Sequence, residues 1–190
     1  MFGDVFFAKG KRSKVYLTCY EGKRAVRKVG DPRFVSNIRN EAYWHLVLNR
    51  HGIGPRLYCF GNDFIVTELV DGERILDFFE SADKRDILRV VDDVLRQCRK
   101  LDVLQVDKKE LTNPYKHIIV RKGRPVMIDF ERCRSTPTPK NITQFVQFLT
   151  SGRVMGIFSK KGIIVDKERL RSFAKAYKKS HRYFKTKMFK

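Results

Sequence analysis

Short apolar runs separated by turn residues fill most of the N-terminal part of the chain, a pattern typical of antiparallel strands. Residues 4–8, 14–20 and 23–29 are rich in Val, Phe and Tyr, and the tripeptide EGK predicts a tight turn between the last two. The runs RLYCF and FIVTEL, joined by the turn GND, predict two further strands. This part of the sequence therefore predicts a small antiparallel sheet.

One predicted helix interrupts these strands. Asp31 before Pro32 is typical of an N-cap followed by proline at the first helical position, and the helix is predicted to run to about Arg50. Positions three and four residues apart form its inward face, which consists of Phe34, Ile38, Glu41, His45 and Leu48.

Glu41 is a carboxylate within an apolar stripe. Burying an unpaired charge costs several kcal/mol, so we expect a cation on the surface against which the helix packs. The third strand ends in AVRK, where Arg27 and Lys28 point to opposite faces. We predict that Lys28 pairs with Glu41; a purely structural salt bridge is the alternative interpretation.

Helical periodicity dominates after Gly72. A short helix is predicted near 74–80 and a long one from Ser81 or Asp83 to about Leu104, whose buried face would consist of Ile87, Val90, Val91, Val94, Leu95, Cys98 and Leu101. The run HIIVRKGRPVMIDF predicts a hairpin turned by Lys122-Gly123, with Asp129 at its exit.

Two more helices are predicted in the last part of the chain. Thr138-Pro139 is expected to cap a helix that ends near Thr150, and Asp166 to cap one that ends near Ser180, with an irregular stretch of roughly fifteen residues between them. The sequence contains no repeat or Pro/Gly-rich linker, so we expect a compact α+β body.

Composition narrows the class of protein. The chain has 190 residues and no apolar run approaching the ~20 residues of a membrane span, and its N-terminus lacks the charge order of a secretory signal. We therefore expect a cytoplasmic protein that does not bind membranes.

The formal net charge of +20 favours polyanionic partners or reflects adaptation to a salty or hot cytoplasm. Basic residues and interleaved aromatics are densest in residues 167–190, which predicts contact with RNA or the ribosome. A solvated amphipathic helix with Leu170, Phe173, Ala174 and Tyr177 on its apolar face explains the same segment.

The order of Lys28, Glu41 and Asp129 along these elements indicates nucleotide chemistry. In this arrangement a lysine on a strand is paired with a glutamate on a helix, and an aspartate follows a hairpin. Such a set of residues can bind ATP and a divalent cation. Phosphoryl transfer needs such charges because its transition state spreads negative charge over the transferred group.

Several motifs in the same order resemble the protein-kinase-like superfamily. AKGKRSKVYL is similar to the phosphate-covering loop, AVRK to the lysine strand, NEAYWHLVLNRHGIGPRLY to the glutamate helix, FIVTELVDGERILDFF to the hinge and VMIDFE to the metal-binding aspartate motif. Over roughly residues 8–150 the chain resembles RIO-type kinases, the kinase of the tRNA threonylcarbamoylation complex and a group of short predicted archaeal Ser/Thr kinases.

The resemblance implies a bilobal fold, with a sheet-rich N-lobe over residues 1–70 and a reduced, mostly helical C-lobe with a metal-binding hairpin over residues 71–190. It further implies that ATP is bound with Mg²⁺ or Mn²⁺. Lys28 would contact the phosphates, and Gly10 and Ser13 would lie near the nucleotide. The backbone around Glu68 and Leu69 would bind adenine, and Asp129 would bind the metal.

The sequence departs from that family at the catalytic loop. Thr112 and His117 stand where the catalytic Asp and its Asn are expected, and Glu131 replaces the usual glycine after Asp-Phe. Glu110 is the substitute base that we predict; Asp107 and Asn113 are the other candidates in the segment. His117 is a candidate metal ligand, with a structural histidine as the alternative.

These observations predict an atypical, RIO-like Ser/Thr protein kinase that transfers the γ-phosphoryl of ATP to a protein hydroxyl, its own included. The catalytic residues would be Lys28, Glu41, Glu110 and Asp129. The alternative is a pseudokinase or a nucleic-acid or ribosome-binding module that retains the fold. Phosphotransfer to a small molecule is a third interpretation, which the short C-terminal part of the chain disfavours.

Overall fold

The computed structural model describes residues 3–180, and the side chains of this range up to residue 178. By internal contacts the chain divides into two compact units. The first runs to Asp71 and includes Val126–Cys133; the second comprises Gly72–Pro125 and the chain from Arg134 onward. The sequence predicted a boundary after residue 70 and kept the Asp129 segment with the second part, whereas by internal contacts this segment groups with the first.

The first unit contains an antiparallel sheet of five strands with the order β1-β2-β3-β5-β4. The strands are β1 (Val5–Lys9), β2 (Ser13–Tyr20), β3 (Lys23–Gly30), β4 (Leu57–Phe60) and β5 (Phe64–Glu68). Glu21 and Gly22, at φ values of 48° and 75°, make the tight turn between β2 and β3. The predicted antiparallel sheet is confirmed.

A helix, α1 (Val35–Asn49), crosses this sheet. Ile38 and Ala42 of α1 pack against Ile65 of β5, so the apolar stripe faces the strands. Asp31 caps a separate 3-10 turn, Pro32–Phe34, by accepting a hydrogen bond from the Arg33 N–H, and Phe34 leaves helical geometry at φ −127°. The predicted helix is therefore real, but it is broken after its first turn.

Five helices form most of the second unit: α2 (Ile75–Ser81), α3 (Lys84–Val103), α4 (Asn141–Leu149), α5 (Gly152–Lys160) and α6 (Lys167–Ser180). Asp83 caps α3 by accepting from the Asp86 N–H, and all seven apolar positions predicted for its inward face are buried. Together with the sheet and α1, these helices make the described part of the chain α+β.

Two predictions about the last third of the chain are wrong. The helix α4 begins at Asn141 with Lys140 at its N-cap, so Thr138 caps nothing there. The stretch predicted to be irregular contains α5, in which Val154 and Phe158 are buried. Glycines weaken the helical signal of GRVMGIFSK, but the burial of two apolar side chains one turn apart outweighs that loss.

The remaining strands are short: β6 (Glu73–Arg74), β7 (Val106–Asp107), β8 (Ile118–Arg121), β9 (Arg124–Met127) and β10 (Arg134–Ser135). The predicted hairpin is confirmed as β8 and β9, with Lys122 and Gly123 at φ values of 50° and 71° in its turn. The pairing of β7 with β10 was not predicted, because strands of two residues leave no alternation to detect.

The last described helix matches its prediction. The Asp166 carboxylate accepts a hydrogen bond from the Arg169 N–H at 2.9 Å, and the predicted stripe of Leu170, Phe173, Ala174 and Tyr177 is buried. Residues 181–190 of the predicted basic tail lie outside the described residues. Within the described range, none of the helices combines the length and apolar character needed to cross a membrane.

Candidate functional site

Lys28 of β3 is surrounded by carboxylates from two other parts of the first unit. Its Nζ lies 2.7 Å from Glu41 Oε2, 3.1 Å from Asp129 Oδ1 and 3.4 Å from Glu131 Oε2. Glu41 comes from α1, whereas Asp129 and Glu131 come from the segment that follows β9. The structure thus brings together the three residues that the sequence predicted to act jointly, and it adds a fourth.

The ion pair of Lys28 with Glu41 confirms the partner predicted from the helix stripe. Only 3% of the Glu41 side chain is exposed, and burial raises the pKa of its carboxyl group to about 7, despite the opposing effect of Lys28. Burial also disfavours the charged form of Lys28, but attraction to Glu41 and then Asp129 outweighs it, so the pKa of the ammonium is raised.

Asp129 has a backbone conformation that few side chains adopt. Its φ of 63° lies in the left-handed region, where aspartate is tolerated better than most non-glycine residues. Its side chain remains 31% exposed, in contrast to Glu41 and Glu131. Asp129 is therefore the carboxylate of the cluster that a ligand from solvent reaches most easily.

Glu131 is the site residue that sequence reasoning missed, because it was considered only as a replacement for glycine. Arg12 Nη1 lies 2.8 Å from its Oε1, and Lys28 Nζ contacts its Oε2. Asn40 of α1 donates hydrogen bonds to the backbone oxygens of Glu131 and Cys133 and so fixes this segment. Contacts across more than 90 residues of chain leave no local signal in the sequence.

The three carboxylates are close enough to share a cation. Oxygen atoms of Glu41, Asp129 and Glu131 lie within 4.8 Å of one another. Such oxygen donors are what Mg²⁺ and Mn²⁺ prefer, and above the pKa of Glu41 the three negative charges exceed the two positive charges of Lys28 and Arg12. The cluster can therefore accept further positive charge.

Gly10 lies in the turn between β1 and β2, and Ser13 is the first residue of β2. The Gly10 N–H donates to the Ser13 carbonyl oxygen at 2.8 Å, and Ser13, which is 9% exposed, pairs with Gly30 of β3. Val15, two residues further along β2, pairs with Lys28. The predicted phosphate-covering turn is thus adjacent to Lys28 in the sheet, and Arg12 of the same turn contacts Glu131.

Glu68 and Leu69 lie at the end of β5 and just beyond it. The Glu68 N–H donates to the Arg56 carbonyl oxygen at 2.8 Å, and the Leu69 N–H donates to that of Arg24 at 3.3 Å. Both N–H groups are therefore used within the first unit. A role of this backbone in binding adenine stays a prediction.

The remaining predicted residues belong to the second unit. Glu110 opens the 3-10 turn Glu110–Thr112, and its Oε2 lies 3.4 Å from His117 Nδ1 and 4.0 Å from the Nζ of the fully buried Lys108. The structure thus brings Glu110 and His117 together. Their roles as base and metal ligand stay predictions.

The other candidates in this segment have different surroundings. Asp107 is buried, accepts a hydrogen bond from Gln144 Nε2 at 3.1 Å and lies 3.5 Å from Arg134 Nη2, so it serves the packing of the second unit. Thr112 and Asn113 are exposed. Of the three carboxylate or amide candidates, only Glu110 is both partly exposed and next to His117.

The described fold and cluster define an α+β protein whose antiparallel sheet carries a lysine among carboxylates. No model of a known protein family matches the chain. A protein of Methanocaldococcus jannaschii, described as uncharacterized, is 32% identical over 115 residues, which cover 59% of this chain and 98% of that protein. The chain belongs to the same family as this archaeal protein.

Proposed function

We propose that the protein is an atypical ATP-dependent Ser/Thr protein kinase of the protein-kinase-like superfamily, with a bilobal fold related to RIO-type kinases. The observation that carries this proposal is the convergence of Glu41, Asp129 and Glu131 on the Lys28 ammonium. A structural ion pair needs one carboxylate, and additional like charges in a partly buried cluster reduce stability. Such an arrangement is common at functional sites.

The residues fit a nucleotide with a divalent cation. The excess of negative charge in the cluster and its exclusively oxygen donors suit Mg²⁺ or Mn²⁺, which Asp129 and Glu131 would hold. Bound there, the cation would neutralise charge that develops on the transferred phosphoryl group. Gly10 and Ser13, at the β1–β2 turn, would cover the phosphates.

Lys28 donates hydrogen bonds to phosphate oxygens in this proposal. Glu41 holds the ammonium in position from the buried face of α1, so Lys28 stays oriented when its contact with Asp129 is exchanged for one with the nucleotide. A lysine without this partner would lose rotamer order.

Glu110 is the proposed general base. It accepts the proton of the attacking Ser or Thr hydroxyl while the new oxygen–phosphorus bond forms and the bond from the γ-phosphorus to the bridging oxygen breaks, with ADP as leaving group. The contact of Glu110 with His117 restricts the orientation of the carboxylate.

Labelled ATP tests the proposal directly. Purified protein is incubated with γ-labelled ATP and Mg²⁺ or Mn²⁺, and transfer to the protein itself is measured for the wild type and for Asp129→Ala. We expect the substitution to reduce transfer at least about 100-fold, as loss of a group that stabilises transition-state charge does elsewhere. Asp71→Ala, which removes an exposed carboxylate that lies 3.3 Å from Arg24 Nη1, is the matched control.

Two results would contradict the proposal. Absence of transfer by the wild type with either cation would exclude autophosphorylation and, if added protein substrates also stay unlabelled, kinase activity. Wild-type transfer by Asp129→Ala would show that the cluster around Lys28 is not the site.

A polyanion-binding module is the second candidate function, and α6 favours it. The helix buries its apolar stripe while Arg169, Arg171, Lys175 and Lys178 are exposed. Arg171, Lys175 and Lys178 lie on one exposed face of α6, and such a group of basic side chains attracts RNA through its phosphates. In that case the nucleotide site would be retained for binding alone, as in a pseudokinase.

A further inference from the structure

Glu131 neutralises two cations that come from different elements. One carboxylate oxygen contacts Arg12 in the β1–β2 turn, and the other contacts Lys28 on β3, at 2.8 and 3.4 Å. A carboxylate that takes one cation on each oxygen offers the same charge and hydrogen-bond acceptors as the edge of a phosphate group. Glu131 therefore occupies Arg12 and Lys28, the two cations that an incoming phosphate would contact.

We propose that Glu131 competes with the phosphates of the nucleotide for Arg12 and Lys28, and thereby makes nucleotide binding depend on a divalent cation. The inference rests on the proposed function, because it concerns the same site. It gives Glu131 and Arg12 a role as positioning residues that select cation-bound over free nucleotide.

The surroundings of Glu131 make this competition effective. Its side chain is only 11% exposed, so little water stabilises the carboxylate if the two cations leave it. Asn40 donates to the Glu131 and Cys133 carbonyl oxygens at 2.9 and 3.0 Å and restrains the backbone that carries this side chain. Release of Arg12 and Lys28 therefore requires another positive charge near the carboxylate.

Free polyphosphate adds negative charge to a cluster that already has an excess of it. The cluster has three carboxylates, Glu41, Asp129 and Glu131, and two cations, Lys28 and Arg12. Phosphate oxygens that enter it are therefore repelled by the carboxylates. A carboxylate drawn to a divalent cation no longer occupies Arg12 and Lys28. The competition is therefore strongest in solution without divalent cations.

Glu131→Gln removes the charge and keeps the size of the side chain. By isothermal calorimetry in EDTA, we expect this variant to bind ATP and inorganic tripolyphosphate about tenfold more tightly than the wild type, as the loss of one charge-assisted competing contact predicts. With Mg²⁺ present, the gain should shrink or disappear. Glu21→Gln is the matched control, since Glu21 is exposed in the turn at the other end of the β2–β3 hairpin.

A double-mutant cycle identifies the competing contact. In the background of Arg12→Gln, the effect of Glu131→Gln on binding in EDTA should be smaller, because one of the two contested cations is absent. An additive effect would show that Glu131 acts through general charge and would overturn the proposal.

The remaining outcomes separate this inference from the proposed function. If the wild type binds ATP with Mg²⁺ but Glu131→Gln binds no more tightly in EDTA, the inference is wrong and the kinase proposal stands. If no variant binds ATP or tripolyphosphate under either condition while all show cooperative melting, both proposals fall.

Discussion

Lys28 has one positive charge and contacts three carboxylates, so its removal is the most informative single change in the first unit. The buried Glu41 depends on it, whereas Asp129 is partly solvated and Glu131 has Arg12 as a second partner. The three carboxylates are therefore not equivalent. Glu41 supports the lysine, Asp129 faces solvent and Glu131 links the lysine to the β1–β2 turn.

Lys28→Met should destabilise the protein through Glu41. At pH 8 the variant must either keep an unpaired buried carboxylate or take up a proton, and we expect the free energy of unfolding to fall by about 3 kcal/mol. Urea unfolding followed by the fluorescence of Trp44, the one tryptophan of the chain, measures this change in α1.

Two further variants test the cause of that loss. Adding Glu41→Gln to Lys28→Met should restore most of the stability, because no buried charge remains. Arg27→Met is the matched control, since Arg27 points to the other face and pairs with the partly exposed Asp4; its cost should stay below about 1 kcal/mol. Equal losses for Lys28→Met and Arg27→Met would contradict the interpretation.

Glu41 should also make stability depend on pH. Its pKa in the folded protein, about 7, lies above the ordinary value of 4.5, so the folded state binds the proton more tightly than the unfolded state. This contribution to stability is complete below pH 4.5 and is lost as the pH rises through 7. Relative to Glu41→Gln, the wild type should lose roughly 3 kcal/mol between pH 4.5 and 8.

Urea unfolding of both proteins across this pH range measures the difference. Parallel stability curves would show that Glu41 stays ionised throughout, with Lys28 fully compensating its burial.

At the scale of elements, α1 connects the sheet with the segment after β9. Glu41 on this helix contacts Lys28, and the neighbouring Asn40 holds the backbone of residues 131–133. Glu41 and Asn40 are adjacent in sequence but lie 100° apart around the helix, so a single helix orients both the lysine and the Glu131 segment. The predicted helix stripe indicated the first role and gave no indication of the second.

Asn40→Ala should loosen the segment that positions Glu131. We expect amide hydrogen exchange in residues 131–133 to increase about tenfold and the affinity for ATP with Mg²⁺ to decrease, because the carboxylates are no longer held together. Asn37→Ala, on the same helix one turn earlier, is the matched control. Unchanged exchange in Asn40→Ala would show that the two hydrogen bonds do not restrain the segment.

At the scale of the whole molecule, charge is the dominant feature. The chain carries 41 basic and 21 acidic residues, and several acidic residues are used within the cluster around Lys28. The exposed basic face of α6 adds a surface that the phosphotransfer proposal does not need. This surface suits the second candidate function, the binding of a polyanion.

Lys175→Gln combined with Lys178→Gln should weaken binding to single-stranded homopolymer RNA if α6 contacts it. We expect the slope of log affinity against log salt concentration to fall in magnitude by about one to two. Lys23→Gln combined with Arg50→Gln removes the same charge from exposed positions of the first unit and is the control. Equal effects of the two pairs in filter binding would indicate that net charge, and not α6, attracts RNA.

Much of the fold was predictable because it depends on local signals. Alternation identified the five strands of the first sheet, and the spacing of Ile87 to Leu101 identified the buried face of α3. The prediction failed where the local signal was weak or ambiguous, as at Thr138, which caps no helix, and in α5, whose glycines masked its periodicity.

The sequence by itself determined the pair of Lys28 and Glu41, because a carboxylate in an apolar stripe requires a nearby cation and the adjacent strand supplies one. Only the tertiary structure decided that Glu131 joins them. Its partners Arg12 and Lys28 lie 119 and 103 residues away along the chain, and the left-handed Asp129 precedes it. Such contacts depend on how α1 and the sheet pack, and packing leaves no periodic pattern in the sequence.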